Sequence, residues 1–195
     1  MLEQFIKNRI IAQLPFDANE GQLELLDKLS KFIVCPTPRK AFILRGYAGT
    51  GKTSIMAALV HAMRDLKQRI VLLAPTGRAA KVLSKYAQTP AYTIHKYIYR
   101  ARAKSAPSLE NATLQFRGYE ARGERQAFTL RDNLHKNTLF IIDEASMISG
   151  LRDNPIFGSG MLLEDLVRYV YSGEGCSMLL LGDDAQLPPV GSNQS

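Results

Sequence analysis

Cysteine is scarce in this sequence, and its scarcity excludes two classes of protein. The chain of 195 residues has two cysteines, Cys35 and Cys176, which lie far apart with no second cysteine near either. That spacing forms neither a zinc cluster nor a disulfide framework, and we expect two buried free thiols.

Long apolar runs and targeting signals are also lacking. The longest apolar runs, such as residues 178–181, fall far short of the roughly 20 residues that a membrane span needs. The first residues carry charge and amides, without the apolar stretch or cleavage site of a signal peptide. No low-complexity tract or internal repeat is present. We therefore expect a globular cytoplasmic protein with one main domain of about 150 residues and an appendage.

Positive charge is what the sequence has in excess. The 25 Lys and Arg residues outnumber the 18 Asp and Glu residues, which gives a net charge of +7. Segment 100–136 holds eight basic and four acidic residues, so it contributes +4 of that charge. Clustered basic residues bind phosphates by displacing condensed counterions, although many basic proteins bind no nucleic acid. The charge makes a polyanionic partner one expectation.

Two helices are predicted ahead of the main domain. Apolar residues at helical spacing mark the first helix, which Pro15 ends. Asn19 suits the N-cap of the second helix, and Pro36 interrupts it. We expect residues 1–36 to pack on a core domain formed by residues 37–195.

From residue 41 onward, short apolar runs alternate with amphipathic helical segments. Four runs have the pattern of buried parallel strands, at residues 41–44, 70–74, 139–142 and 178–181. This alternation predicts an α/β fold in which a parallel sheet is flanked by helices. Segment 100–136 breaks the rhythm, and weak alternation at 114–116 and 127–130 predicts a small inserted β-hairpin within it.

The strongest motif is GYAGTGKT at residues 46–53, which fits the phosphate-loop pattern G-x-x-x-x-G-K-S/T between a predicted strand and a predicted helix. Backbone N–H groups of such a loop converge on phosphate oxygens. Lys52 is expected to hold the β and γ phosphates, and the Thr53 hydroxyl to bind Mg²⁺. The ATP contacts predicted in this segment are Gly46, Ala48, Gly49, Thr50, Gly51, Lys52, Thr53 and Ser54. A glycine-rich turn without nucleotide is the alternative.

A buried strand ending in two acids supplies the second half of this site. Residues 139–144, LFIIDE, place Asp143 at the carboxyl end of the strand, where it can hold Mg²⁺ through the water shell of the ion. Glu144 is placed to polarise a water for attack on the γ phosphate. Two adjacent acids fit hydrolysis better than binding alone, although acids also cap strand ends.

Four further stretches resemble, in order, the motifs of superfamily 1 helicases of the RecD-like branch, which moves 5′ to 3′ on single-stranded DNA. The first is Gln22, a few residues after Phe16, which resembles the Q-motif glutamine that reads the adenine edge in this family. The resemblance makes Gln22 an expected ATP contact. Because Gln22 follows Asn19 by three residues, a simple capping box is the alternative.

The second stretch, APTGRAAK at residues 74–81, resembles motif Ia. In the family this motif touches the DNA backbone, which implies DNA contacts from Thr76, Gly77 and Arg78. A turn that ends a strand and opens a helix suits this role, because its hydroxyl, N–H group and helix end can donate to a phosphate. A solvated helix charge is the alternative for Arg78, and the favoured interpretation for Lys81.

The third stretch, TIH at residues 93–95, matches a short element that follows motif Ia in RecD-like proteins. The resemblance places Thr93 near DNA. His95 has no partner at metal-ligand spacing, so we expect it to pack or to hydrogen-bond.

The fourth stretch, GDDAQLPPVG at residues 182–191, closely resembles motif III. In the family its glutamine senses the γ phosphate and connects the loss of that phosphate to the DNA-binding surface. The resemblance therefore makes Gln186 a catalytic coupling residue, with Asp183 as its neighbour. Taken alone, the stretch would be interpreted as a turn after a strand.

The resemblance covers residues 16–191 and implies a P-loop NTPase fold of the RecA-like type. In the family a small β-rich subdomain lies where segment 100–136 lies here, and a solvated loop is the alternative. Phe116, Tyr119 and Phe128 could stack on bases or pack the hairpin.

The function implied is that of a DNA helicase motor domain, with ATP and Mg²⁺ as cofactors and single-stranded DNA as partner. The chain ends at Ser195 before motifs IV to VI, which implies truncation after motif III and loss of the second RecA-like domain. Such a chain is expected to hydrolyse ATP poorly and to unwind nothing. One form of this function is a helicase–nuclease subunit resembling exodeoxyribonuclease V alpha, in DNA repair or recombination with partners unknown. The alternative is another P-loop ATPase or nucleotide kinase that does not act on DNA.

Overall fold

The computed structural model describes residues 1–47, 49–101, 128–148 and 156–183. The α-helices in this part of the chain are α1 (Leu2–Ile11), α2 (Glu20–Val34), α3 (Lys52–Asp65), α4 (Gly77–Ala87), α5 (Ile94–Ile98) and α6 (Leu162–Ser172). The strands are β1 (Ala41–Arg45), β2 (Arg69–Ala74), β3 (Ala91–Thr93), β4 (Tyr99–Ala101), β5 (Phe128–Leu130), β6 (Thr138–Ile142) and β7 (Ser177–Gly182). A 3₁₀ helix, Ala145–Met147, follows β6.

Five strands form one sheet in the order β1-β7-β6-β2-β3, and every neighbouring pair is parallel. The four predicted strands, β1, β2, β6 and β7, are confirmed, and with them the α/β fold of a parallel sheet flanked by helices. Strand β3 has no continuous apolar run and was not predicted. Because all five strands are parallel, their carboxyl ends lie along one edge of the sheet.

The order of the strands separates the two halves of the predicted nucleotide site. Strand β7 lies between β1, which leads into the phosphate loop, and β6, which leads into the two acids. The register pairs Arg45 with Gly182 and Ile142 with Leu180. The residue after β7, Asp183, is therefore placed between the phosphate loop and Asp143.

Residues 139–142 of β6 are apolar without interruption because both faces of the strand are buried. All five of its residues are buried, and successive side chains point to opposite faces of the sheet. Leu139 and Ile141 join the apolar cluster that contains residues of α1, α2 and α3. Phe140 and Ile142 join the cluster that contains residues of α5 and α6. Both faces of the sheet are thus covered by helices, as expected for parallel strands.

The base of segment 100–136 is a pair of strands, β4 and β5, of which the sequence predicted only β5. Strand β5 confirms the second predicted strand, but it pairs antiparallel with β4, with Tyr99 opposite Leu130. The other predicted strand, at 114–116, lies outside the described residues, as do Phe116 and Tyr119. Phe128 is 1% exposed, and its ring stacks on Phe157 at 4.7 Å. Phe128 therefore packs in the core and does not face bases.

A buried hydrogen-bond network fixes β4 to α6. The Tyr99 hydroxyl donates to Asp165 Oδ2 at 2.7 Å, and the Ser159 N–H group donates to the same oxygen at 2.9 Å. Burial, and to a smaller extent the hydrogen bond to Asp165, raises the pKa of Tyr99 far above its usual value. Tyr99 is therefore a neutral donor at physiological pH, and Asp165 is a buried acceptor that joins two segments.

We predict that Gly158→Ala destabilises the domain by about 2–4 kcal/mol. Gly158 has a φ of +47°, and a Cβ there would overlap the Asp165 carboxylate and lie 2.7 Å from the Tyr99 ring. The measurement is the free energy of unfolding in urea. Gly77→Ala is the control, because Gly77 has an ordinary φ and a Cβ there meets nothing within 4 Å. Equal stability of the two variants would contradict this account of the network.

The remaining structural expectations concern the thiols and membranes. Both cysteines are free, and Cys176 is buried as predicted, whereas Cys35 is only half-buried. The difference follows from position, since Cys35 directly follows α2 and its Sγ lies 3.0 Å from Thr37 Oγ1. None of the described helices is long and apolar enough to cross a membrane.

Candidate active site

The phosphate loop connects β1 to α3 through two glycines in left-handed conformations. Gly49 has a φ of +81° and Gly51 a φ of +86°, a region that costs side-chain-bearing residues about 1–2 kcal/mol. A Cβ on Gly51 would also lie 3.0 Å from the Gln22 amide nitrogen. Ala48 lies outside the described residues. The glycines let the loop turn sharply into the start of α3.

Lys52 points back into this loop. Its Nζ donates to the carbonyl oxygens of Gly46 and Tyr47, the latter at 2.7 Å, and lies 3.6 Å from Asp183 Oδ2. The Thr50 hydroxyl donates to the same Tyr47 carbonyl at 2.8 Å. An ammonium group directed into the concave side of a glycine-rich loop is placed to hold phosphate oxygens.

Thr53 and Ser54 follow Lys52 in the first turn of α3. Thr53 is exposed and Ser54 is half-buried. The first turn of a helix carries N–H groups without helical partners and a partial positive charge, both of which favour anions. The phosphate contacts predicted for Thr53 and Ser54 thus fall in the part of the helix that favours anions.

Gln22 joins the start of α2 to the phosphate loop. Its Oε1 accepts from the Asn19 N–H group at 3.1 Å, and its own N–H donates to Asn19 Oδ1 at 2.9 Å, so the capping box exists. Its Nε2 also donates to the Thr50 carbonyl oxygen at 3.3 Å. One amide N–H and one oxygen lone pair remain for a ligand. A cavity of about 500 Å³ opens beside them, lined also by Arg45 and Tyr47.

The two acids follow β6 at the same edge of the sheet. The Asp143 N–H group donates to the Leu73 carbonyl oxygen at 3.0 Å, and the Glu144 N–H group donates to Asp143 Oδ1 at 2.9 Å. Glu144 has a φ of +52°, a conformation that is rare for residues other than glycine. Burial raises the pKa of both carboxyl groups, and Asp143 raises that of Glu144 further. A raised pKa suits a general base.

The donors at this edge fit a magnesium ion bound together with a nucleotide. Mg²⁺ is usually held by one or two protein oxygens together with phosphate oxygens and water. The Thr53 hydroxyl and the Asp143 carboxylate are donors of that kind. In the described ranges no group of three or more His, Cys, Asp or Glu residues is arranged around a metal position. Such a group is not required when phosphates supply the other ligands.

The predicted DNA contacts continue along the same edge. Thr76 is the N-cap of α4, where its hydroxyl oxygen accepts from the Ala79 N–H group at 3.1 Å. Thr93 is the N-cap of α5 and accepts from the Lys96 N–H group at 3.3 Å. Each hydroxyl still has its own hydrogen to donate to a phosphate. The register of β2 and β3 pairs Ala74 with Thr93, so the two turns are neighbours.

The charge of Arg78, in the predicted DNA-binding turn, acts on Glu144. Arg78 is exposed in the first turn of α4, and the N-terminal Gly77 beside it is exposed as well. Strand β2 lies next to β6, and the Arg78 charge lowers the pKa of Glu144 against the larger effects of burial and Asp143. The phosphate loop, the two acids and the predicted DNA-binding turn therefore follow one another along this edge. From β1 to β2 the edge is about 15 Å long at the usual strand spacing.

Three further residues that the sequence singled out are Asp183, Gln186 and His95. The sequence identified Asp183 only as a neighbour of Gln186, and its ion pair with Lys52 was missed because the pair joins β7 to the phosphate loop. Gln186 itself lies outside the described residues. His95 packs as expected, with its ring 4.9 Å from the Phe157 ring.

A parallel sheet with a glycine-rich phosphate loop after β1 and two acids after β6 defines a P-loop NTPase of the RecA-like type. Residues 17–195 match the family model described as AAA domain, so this chain belongs to the AAA domain family.

The chain is also similar to ATP-dependent DNA helicases. It is 28% identical over 174 residues to the ATP-dependent RecD2 DNA helicase of Deinococcus radiodurans, covering 88% of this chain and 18% of that protein. It is 31% identical over 165 residues to the ATP-dependent DNA helicase PIF6 of Trypanosoma brucei brucei, covering 82% of this chain and 18% of that protein. The crystal structure of Pif1 helicase from Candida albicans aligns with a TM-score of 0.46 at 21% identity, over 90% of this chain and 34% of that one. The chain thus spans less than a fifth of the two helicases compared by sequence.

Proposed function

We propose that this chain is the ATP-binding first motor domain of a RecD-like superfamily 1 DNA helicase, which couples ATP hydrolysis to movement on single-stranded DNA. The observation that carries the proposal is the shared edge of the sheet. The phosphate loop, Asp183, the acids and the motif Ia turn follow adjacent strands in the order β1-β7-β6-β2. A nucleotide and a DNA backbone bound at this edge would lie on either side of Glu144.

Six of the predicted site residues have distinct chemical roles in this proposal. Lys52 would hold the β and γ phosphates. Thr53, and Asp143 through the water shell of the ion, would hold Mg²⁺, which would supply positive charge at the transferring phosphoryl group. Glu144 takes a proton from the attacking water. Gln22 reads the adenine edge from the cavity beside the loop, and Gln186 couples the γ phosphate to the DNA surface.

The complete activity belongs to a longer protein in this proposal. In the helicase family a second RecA-like domain contributes an arginine to the phosphoryl group, and lacking such an arginine lowers the rate by roughly 10³ to 10⁵. The chain by itself is expected to bind Mg²⁺-ATP weakly and to hydrolyse it slowly. Roles in repair or recombination, and association with a nuclease, belong to the same proposal.

A P-loop ATPase or nucleotide kinase that does not act on DNA is the competing function. Membership of the AAA domain family fits either function. The deciding experiment measures phosphate release by the longest natural form of the protein, with and without single-stranded DNA. Stimulation by DNA supports the motor function. Indifference to DNA, combined with stimulation by a small phosphate acceptor, supports a kinase.

We predict that Arg78→Ala weakens binding of single-stranded DNA about tenfold, because it removes one charge-assisted bond to a phosphate. Fluorescence anisotropy with a labelled oligonucleotide at low salt measures the effect. The control is Lys81→Ala one turn further along α4, which is expected to change affinity less than twofold. If Lys81→Ala is as damaging as Arg78→Ala, the contact is diffuse attraction to α4 and not the motif Ia turn.

A further inference from the structure

Lys52 has a charged partner, Asp183, beside the phosphate loop. Its ammonium group donates to the carbonyl oxygens of Gly46 and Tyr47, and it forms an ion pair with Asp183, whose Oδ2 lies 3.6 Å from Nζ. The Lys52 side chain is 18% exposed and that of Asp183 is 7% exposed. Water screens an ion pair this buried far less than one at the surface.

The strand order places Asp183 beside the phosphate loop, where its carboxylate and a bound phosphate would compete for Lys52. Strand β7 lies between β1 and β6, so Asp183 follows a strand end flanked by the phosphate loop and by Asp143. Asp143 and Glu144 belong to the same edge. Asp183 and Asp143 therefore follow adjacent strands at the edge where Lys52 lies.

We propose that Asp183 competes with phosphate for Lys52 and thereby makes nucleotide binding depend on Mg²⁺. This inference rests on the proposed function, since it concerns the same ATP site. When phosphate arrives, Lys52 exchanges the Asp183 carboxylate for phosphate oxygens. The buried carboxylate then faces the phosphates as a like charge, which is unfavourable unless a cation lies between them.

Asp183→Asn tests the proposal, because it removes the charge and keeps the shape. The measurement is the affinity for the non-hydrolysable ATP analogue AMP-PNP by calorimetry, once with Mg²⁺ and once with EDTA. In the native chain, Mg²⁺ is expected to strengthen binding strongly. In Asp183→Asn we expect the ratio of the affinity with Mg²⁺ to the affinity with EDTA to fall about tenfold, chiefly because metal-free AMP-PNP binds more tightly.

Two further variants separate the ion pair from general charge. Glu24→Gln removes an exposed acid that lines the same cavity, and it is expected to leave the Mg²⁺ dependence at the native value. Asp183→Glu retains the charge and is expected to retain the dependence. The proposal is overturned if Asp183→Asn keeps the native dependence, or if Glu24→Gln loses as much. Failure of the longest natural form of the protein to bind AMP-PNP under both conditions would instead overturn the proposed function.

Discussion

Lys52→Met is expected to weaken binding of Mg²⁺-ATP about 100-fold. Lys52 is the cation that the structure directs into the phosphate loop, with its Nζ 2.7 Å from the Tyr47 carbonyl oxygen. Losing charge-assisted bonds to phosphate removes about 1.5–3 kcal/mol, and a loss near the upper limit is a factor of about 100. Methionine also leaves the Asp183 carboxylate facing the phosphates without this lysine. Calorimetric titration with Mg²⁺-AMP-PNP measures the change.

Lys28→Met is the matched control for Lys52→Met. Lys28 lines the same cavity, but its ammonium group is exposed and pairs with Glu24 at 2.7 Å. Exposed pairs contribute little, so binding should change less than twofold. The melting temperatures of both variants show whether the fold is retained. Native affinity in a folded Lys52→Met variant would remove the basis for an ATP site in this loop.

Glu144→Gln is expected to lower ATP turnover by a factor of about 10² to 10⁴ while ATP still binds, because an amide cannot accept the proton of the attacking water. The positive φ of Glu144 belongs to the backbone and is retained, so the effect reports the carboxylate. Turnover is best measured in the longest natural form of the protein with DNA present. Binding of Mg²⁺-AMP-PNP is the parallel measurement.

The control for Glu144→Gln is Glu174→Gln, an equally conservative change of an exposed acid that lies just before the amino end of β7, at the opposite edge of the sheet from the site. Its turnover should equal that of the native protein. If turnover survives in Glu144→Gln, the general base is another group, and the chain serves as a binding module or uses different chemistry. If nucleotide binding is lost together with turnover, Glu144 acts on affinity and not on the proton.

Much of the candidate site could be predicted because it is encoded by short contiguous motifs. The phosphate loop reveals itself through the spacing of its glycines and Lys52, and β6 through an apolar run that ends in two acids. The capping box at α2 is equally local, since it joins Asn19 and Gln22. Its second role, the bond from Gln22 to the Thr50 carbonyl, spans 28 residues and has no sequence signal.

Elements whose partners are distant in sequence were the ones predicted incompletely. Strand β3 has three residues, too few to show a period, and it is defined by pairing with β2. Strand β5 was recognised, but its pairing with β4 was not predicted, because β4 lies on the other side of segment 102–127. The aromatic packing of Phe128 against Phe157 likewise depends on residues that only the folded chain brings together.

The sequence by itself determined that the chain has a phosphate loop, two acids after a buried strand and a parallel α/β core, because each depends on residues close together in the chain. Only the tertiary structure decided where these parts lie. The insertion of β7 between β1 and β6 puts Asp183 against Lys52, and the pairing of β2 with β6 puts the Arg78 turn beside Glu144. Strand order depends on how the apolar faces of all the strands and helices pack together, so it does not follow from any short stretch of the sequence.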